Sequence, residues 1–191
     1  MRLPAAIVLY GPPAAGKDTI TAALHDLDCR YVGFGKMKLA EEHGDSTAYR
    51  LIDQTELDRL RSRGEVIYEN GRYGNRYIVD RPGLDAAFTG GNIPIVHMGQ
   101  VAGVRALRGY PTTWLPVVLW CSREVTARRA RSRGSLDVEA RLAAWDETLQ
   151  DLAVASPEDF ALRIDTDQHE PKDAATTIDA LMRARLSGLP A

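Results

Sequence analysis

YGPPAAGKDT, residues 10–19, decides how the rest of this chain is read. Gly11 and Gly16 bracket two prolines and two alanines, and Lys17 follows directly. The apolar run AAIVLY (5–10) before it fits a strand buried on both faces, as a parallel sheet requires. A helical pattern over about 17–27 comes after it. In that strand–turn–helix setting the glycines let backbone N–H groups turn inward around phosphates, the helix N-terminus adds partial positive charge, and the lysine supplies a mobile ammonium. Gly11, Ala14, Ala15, Gly16 and Lys17 are therefore read as a phosphate-cradling loop for ATP, an ordinary glycine-rich strand-to-helix turn being the alternative. One position departs from the strict pattern: Asp18 stands where a serine or threonine is usual, and Thr19 brings its hydroxyl one residue later. Asp18 and Thr19 join the ATP site: Thr19 still offers its hydroxyl to the phosphates, and the two are the protein's oxygen donors to Mg2+, most of whose coordination comes from ATP and water.

Working outward, IPIV (93–96), WLPVVLW (114–120) and FALRI (160–164) are further buried-strand candidates, separated by helical patterns. The clearest pattern is Val138, Leu142, Trp145, Leu149 and Leu152, five apolar positions on one stripe, with Asp137 placed to cap it. Alternating strands and helices imply an α/β fold, a parallel five-stranded sheet with helices on both faces. Residues 35–78 differ in being polar and glycine-punctuated around the short extended pieces YRLI, EVIYE and RYGNRYIV, with a helix starting near Thr55. They read as a small inserted subdomain over the sheet edge, within a single domain spanning 1–191.

Composition bounds the partners. The 191 residues are 45% hydrophobic with a formal net charge of −2, which fits one substantial core and argues against a general nucleic-acid binder. Cys29 and Cys121 lie far apart in no metal-ligand spacing, so a reducing, cytoplasmic setting is expected. No run reaches membrane-spanning length. A monomer or homodimer acting on a small molecule is the expectation.

Positive charge is concentrated locally. SREVTARRARSRGSLDVEARL (122–142) sets six arginines against three acids. On a helix beginning at Ser122, Arg129 and Arg133 share a face, and Arg141 returns after the Gly134 turn. Arginines of this kind hold the equatorial oxygens of a transferred phosphoryl group; a solvated helix face is the alternative.

The order of GPPAAGKDT, GEVIYENGRYG (64–74), GGNIPIVHMGQVAGVRAL (90–107), EVTARRARSRG (124–134) and ARLAAWDET (140–148) resembles the guanylate kinase superfamily over residues 5–168. The loop and LPVVLWCSREVTARRARSRG resemble the ribose 1,5-bisphosphate phosphokinase branch most. The resemblance implies a P-loop kinase moving the γ-phosphoryl of ATP onto a phosphorylated small molecule. It makes Lys17, Arg129, Arg133 and Arg141 catalytic, with residues 123–141 as an arginine-rich lid. It places Tyr49, Tyr73 and Gly74 in the acceptor subdomain, and Asp165 and Thr166 beside the adenine, where a plain strand-end turn is the alternative. GFGKMKLAEEHGDSTAYR stands where guanylate kinases carry a Thr-Arg-x-x-Arg motif and a guanine-reading Glu. Lys36 and Lys38 take the place of the arginines, with Arg50 and Arg72 nearby. His97 replaces an expected strand-end aspartate, either touching substrate or serving as an ordinary strand-end histidine. The acceptor is then a nucleoside monophosphate, a modified nucleotide or a sugar phosphate. A non-catalytic binding module normally lacks the lysine and arginines kept here, and a GTPase needs an Asn-Lys-x-Asp motif that is absent.

Overall fold

A computed structural model describes residues 3–40, 49–72, 74–132, 134 and 137–188. Its centre is a five-stranded, wholly parallel sheet. The strands are β1 (Ala5–Tyr10), β2 (Tyr31–Gly33), β7 (Ile93–Met98), β8 (Thr113–Trp120) and β9 (Leu162–Asp165), in the order β2-β7-β1-β8-β9. β1 lies in the middle, and every one of its residues is buried. Its side chains alternate between two cores because successive strand residues point to opposite faces. Ala5, Ile7 and Leu9 pack with α1 (Lys17–Leu27) and α7 (Pro171–Ser187), through Ile20, Leu24, Ile178 and Met182. Val8 and Tyr10 face α3 (Arg81–Ala87), α4 (Val101–Leu107) and α6 (Val138–Ala153), through Leu84, Val104 and Trp145. The sheet is thus covered on both sides, as an α/β parallel sheet must be.

A second, four-stranded sheet is built from β3 (Met37–Leu39), β4 (Arg50–Ile52), β5 (Val66–Arg72) and β6 (Asn75–Asp80), in the order β4-β3-β6-β5. β3 pairs parallel with β4 and antiparallel with β6, and β5 pairs antiparallel with β6. With α2 (Gln54–Ser62) it buries a small core of its own, Met37, Leu57, Leu60 and Ile78. Asp80, fully buried, ends β6 and caps α3 by accepting from Gly83 N at 2.8 Å, which ties this sheet to the main body.

Two local expectations need correction. Leu149 is 45% exposed and Val138 only half-buried, so the buried stripe of α6 narrows to Leu142 with the partly buried Trp145 and Leu152. Asp137 makes no side-chain capping bond to α6.

Candidate active site

Gly11 leaves the C-terminal end of β1, donating its N–H to Met98 O at 3.2 Å. A Cβ there would collide with the Leu119 carbonyl, so only glycine lets the chain pass between β7 and β8. Ala14 (φ 60°) and Gly16 (φ 88°) are left-handed, and Gly16 forms the N-cap of α1 with no side chain capping the helix. The first-turn N–H groups of this 11-residue helix are therefore left for an anion. Lys17 Nζ reaches back across the loop to Gly11 O and Pro12 O, both at 2.8 Å. Burial, helped by the charges of Lys36 and Arg72 and opposed by Asp18, brings the Lys17 pKa down to about 8.

The loop forms one wall of a cavity of about 290 Å³, roofed by the second sheet. Among the described residues four cationic side chains line it, Lys17, Lys36, Arg72 and Arg141. Lys36 lies 5.7 Å from the centroid of the Tyr77 ring, and burial plus the neighbouring Arg72 lowers its pKa to about 8. Arg72 is held by Ala144 O at 3.0 Å and Thr148 Oγ1 at 3.1 Å, both on α6. A Cβ on Gly99 would strike its guanidinium, so the bare backbone after β7 is what lets Arg72 enter. Arg141, on the first turn of α6, has its Nε buried without a hydrogen-bond partner. Buried donors are normally satisfied, so the Arg141 Nε is set for an acceptor that the described residues do not provide.

His97 also lines this cavity. Its Nε2 lies 2.8 Å from Thr21 Oγ1 and its Nδ1 3.5 Å from Asp18 Oδ1. Burial and the charges of Lys17 and Lys36 push its pKa down to about 4, against the pull of Asp18. It is a neutral imidazole at physiological pH, and the Thr21 hydroxyl donating to Nε2 leaves Nδ1–H facing Asp18.

On the other side of the loop, a second cavity of about 360 Å³ is lined by Ala14, Gly16, Thr19, Arg129 and Thr166, among others. Arg129, on α5 (Arg123–Ser132), donates to Ala14 O at 3.0 Å, Thr166 Oγ1 at 3.1 Å and Thr166 O at 2.7 Å. One guanidinium thereby joins the phosphate loop to the turn after β9.

The predicted residues divide accordingly. Gly11, Ala14, Ala15, Gly16, Lys17, Asp18, Lys36, Tyr49, Arg72, His97 and Arg141 meet in the first cavity. Thr19, Arg129 and Thr166 meet in the second, so Asp18 and Thr19 open in different directions. Lys38 and Gly74 line neither, but instead a wide cleft of about 1020 Å³ between the second sheet and α6, which Arg72 also borders. Arg50 lines none of the three. It is ion-paired with the buried Asp80, donates to Gly35 O at 2.8 Å and lies 5.3 Å from the centroid of the Phe34 ring. Its charge is spent on holding the second sheet, which corrects its reading as a substrate ligand. Asp165 pairs with Arg163 at 3.2 Å and also lines none of these cavities. Tyr73 and Arg133 lie outside the described residues. Sequence reasoning passed over Phe34, Tyr68, Asn70, Tyr77 and Gln100, all of which line the first cavity. Tyr68, Asn70 and Arg72 share one face of β5, so the period-two pattern running back from Arg72 was the available signal.

The family model described as chloramphenicol phosphotransferase-like protein matches residues 5–183. The chain belongs to that family. Among solved structures, the chloramphenicol phosphotransferase-like chain is similar to a guanylate kinase from Anaplasma phagocytophilum, with a TM-score of 0.65 and 19% identity over 97% of this chain and 87% of that one. It is also similar to a shikimate kinase from Acinetobacter baumannii solved with shikimate, with a TM-score of 0.50 and 17% identity over 95% and 94% of the two chains. No curated protein sequence matches it. At these identities the structural likeness is one of fold, and fold does not carry substrate. Together they make this chain a member of the P-loop kinase superfamily in a phosphotransferase family. The sequence resemblance to guanylate kinases holds at that superfamily level, and the branch that matches is the chloramphenicol phosphotransferase-like one. Among the described residues no helix is long and apolar enough to cross a membrane, and no group of three or more His, Cys, Asp or Glu side chains is arranged to hold a metal by itself.

Proposed function

We propose that this protein transfers the γ-phosphoryl group of ATP to a phosphorylated small molecule bound between the phosphate loop and the second sheet, a nucleoside monophosphate or a modified nucleotide fitting best. The observation that carries the reading is the convergence of Lys17, Lys36, Arg72 and Arg141 on one cavity beside the loop, with the Arg141 Nε buried and unpartnered. Four like charges brought together repel one another unless a polyanion sits among them. The aromatic walls, Phe34, Tyr49, Tyr68 and Tyr77, suit a planar ring on that polyanion.

The chemistry asks little of the protein beyond position and charge. An acceptor phosphate oxygen forms a bond to the γ-phosphorus, the bond from that phosphorus to the β,γ-bridging oxygen breaks, and the electron pair leaves with ADP. No proton has to move from a phosphate dianion, which fits a cavity whose lining, among the described residues, holds Asp18 as its single carboxylate. Lys17 and the first-turn N–H groups of α1 hold the donor phosphates. Arg129 fixes the loop against the turn at Thr166, where the nucleoside end of ATP has room. Arg141 and Arg72 bind the acceptor phosphate and the transferring group from the α6 side. A magnesium ion arriving with the nucleotide would neutralise β- and γ-phosphate charge, and the Asp18 carboxylate beside the loop is a suitable hard oxygen donor for it.

A second reading, a neutral acceptor phosphorylated at a hydroxyl, is favoured by the family's description, with the Asp18 carboxylate in the same cavity as a group able to take the proton. The two separate in a steady-state assay of ADP release with matched pairs, each nucleoside monophosphate against its nucleoside. Turnover confined to the phosphorylated member supports the first reading; turnover of nucleosides or of chloramphenicol at equal kcat/KM overturns it.

A further inference from the structure

Two side-chain amides line the acceptor cavity, Asn70 from β5 of the second sheet and Gln100 from the N-cap of α4, just after β7 of the main sheet. The Tyr68 hydroxyl donates to Gln100 Oε1. Burial, together with nearby Asp151, raises the Tyr68 pKa, so it stays a phenol and a donor. With Oε1 engaged, the Gln100 NH2 is the group left to donate. Asn70 lies two residues along β5 from Tyr68, on the same face as Arg72, and among the described residues its side chain has no hydrogen-bond partner. Tyr49 and Tyr77, ring centroids 5.2 Å apart, flank the same space.

We propose that Asn70 and Gln100 are specificity-determining residues that read the edge of a planar heterocycle on the acceptor, a ring presenting one hydrogen-bond donor beside one acceptor. This deepens the phosphorylated-acceptor reading and rests on it: the cations take the phosphate, and the amides take the ring. The Asn70 amide offers a donor and an acceptor together, as Asn does when it pairs with edges that do the same, and the Gln100 NH2 adds a donor beside it. The N1–H and 2-amino groups of guanine are two donors side by side and call for a carboxylate. Among the described lining residues the one carboxylate is Asp18, on the phosphate side of the cavity. Among the described lining residues the 2-amino group of guanine finds no carboxylate on the ring side of the cavity, and a site that leaves a ligand's polar group unpaired discriminates against it.

IMP and GMP differ only in that amino group, and ribose 5-phosphate lacks the ring altogether. With the full chain, ATP and magnesium, kcat/KM for IMP is expected to exceed that for GMP by about tenfold or more, with ribose 5-phosphate below IMP. Asn70→Asp and Gln100→Glu keep size while replacing a donor by an acceptor, and each is expected to shrink or reverse the IMP:GMP ratio, a readout that a general loss of activity does not move. Equal use of IMP and GMP, or a ratio that neither variant changes, overturns the inference. Turnover of ribose 5-phosphate as good as that of IMP also overturns it while leaving the kinase reading intact. ADP release with no phosphorylated acceptor at all overturns both.

Discussion

Arg129 Nη1 lies 3.0 Å from the carbonyl oxygen of Ala14, so a helix that follows the fourth strand of the main sheet is fastened to the apex of a loop that follows the central one. Ala14 is held in a left-handed conformation there, at φ 60°, an arrangement that costs energy and needs outside support. Arg129→Ala should therefore loosen the loop and raise KM for ATP about tenfold, in keeping with a charge-assisted bond worth about 1.5–3 kcal/mol. Lysine at 129 should not rescue it, because the guanidinium bonds Ala14 and Thr166 through two different nitrogens. Steady-state kinetics with varied ATP checks both.

Lys36→Met should separate stability from function. A buried cation whose pKa falls from 10.5 to about 8 weakens the folded state near neutrality. Between those two values the unfolded chain binds more protons than the folded one, so this contribution to stability improves as pH rises through the window, and below about pH 8 the penalty is fully present. Removing the charge should raise Tm at pH 7 and lower kcat/KM for the acceptor. For the same reason, inorganic pyrophosphate should raise the Tm of the unmutated protein more at pH 7 than at pH 9.5, since the anion needs the protonated lysine. Thermal denaturation at the two pH values tests this, and an equal shift at both would count against Lys36 as an anion ligand.

Arg50→Ala should behave as a stability lesion. It leaves the Asp80 carboxylate, fully buried, without its ion-pair partner, at a cost of about 1–3 kcal/mol. Urea denaturation should register that loss. The acceptor KM should move only as far as the second sheet is disturbed, because Arg50 does not line the cavity.

The loop was legible because its message is local: a buried run, two glycines and a lysine lie within a dozen residues. The same holds for the strands β1, β7, β8 and β9. β2, which completes the main sheet, has only three residues and one buried side chain, Tyr31, too few for a periodic pattern. β3 is equally short. Residue type singled out Lys36, Arg72 and Arg141, which line one cavity, and also Arg50, whose place is decided by a buried carboxylate 30 residues away. Asn70 and Gln100 carried no signal as single residues. They became visible once the pairing of β5 with β6 and the Tyr68 contact brought them to one cavity.

Lys17→Met should leave Tm unchanged or raised while lowering kcat on the order of a hundredfold or more, since its ammonium acts on charge that develops in the transition state. Circular dichroism and turnover on the same preparation check it. Near-normal turnover by a folded variant would remove the phosphate-loop assignment.

The nature of the bond made is the most direct test of the account. Phosphorus NMR of the full chain with ATP, magnesium and a nucleoside monophosphate distinguishes a new phosphoanhydride from a new phosphomonoester without reference to rates. The account predicts loss of the ATP γ resonance, appearance of ADP, and a second pair of coupled doublets from the diphosphate formed on the acceptor. A new uncoupled phosphomonoester signal, on a nucleoside monophosphate or on a neutral alcohol offered alone, would contradict it.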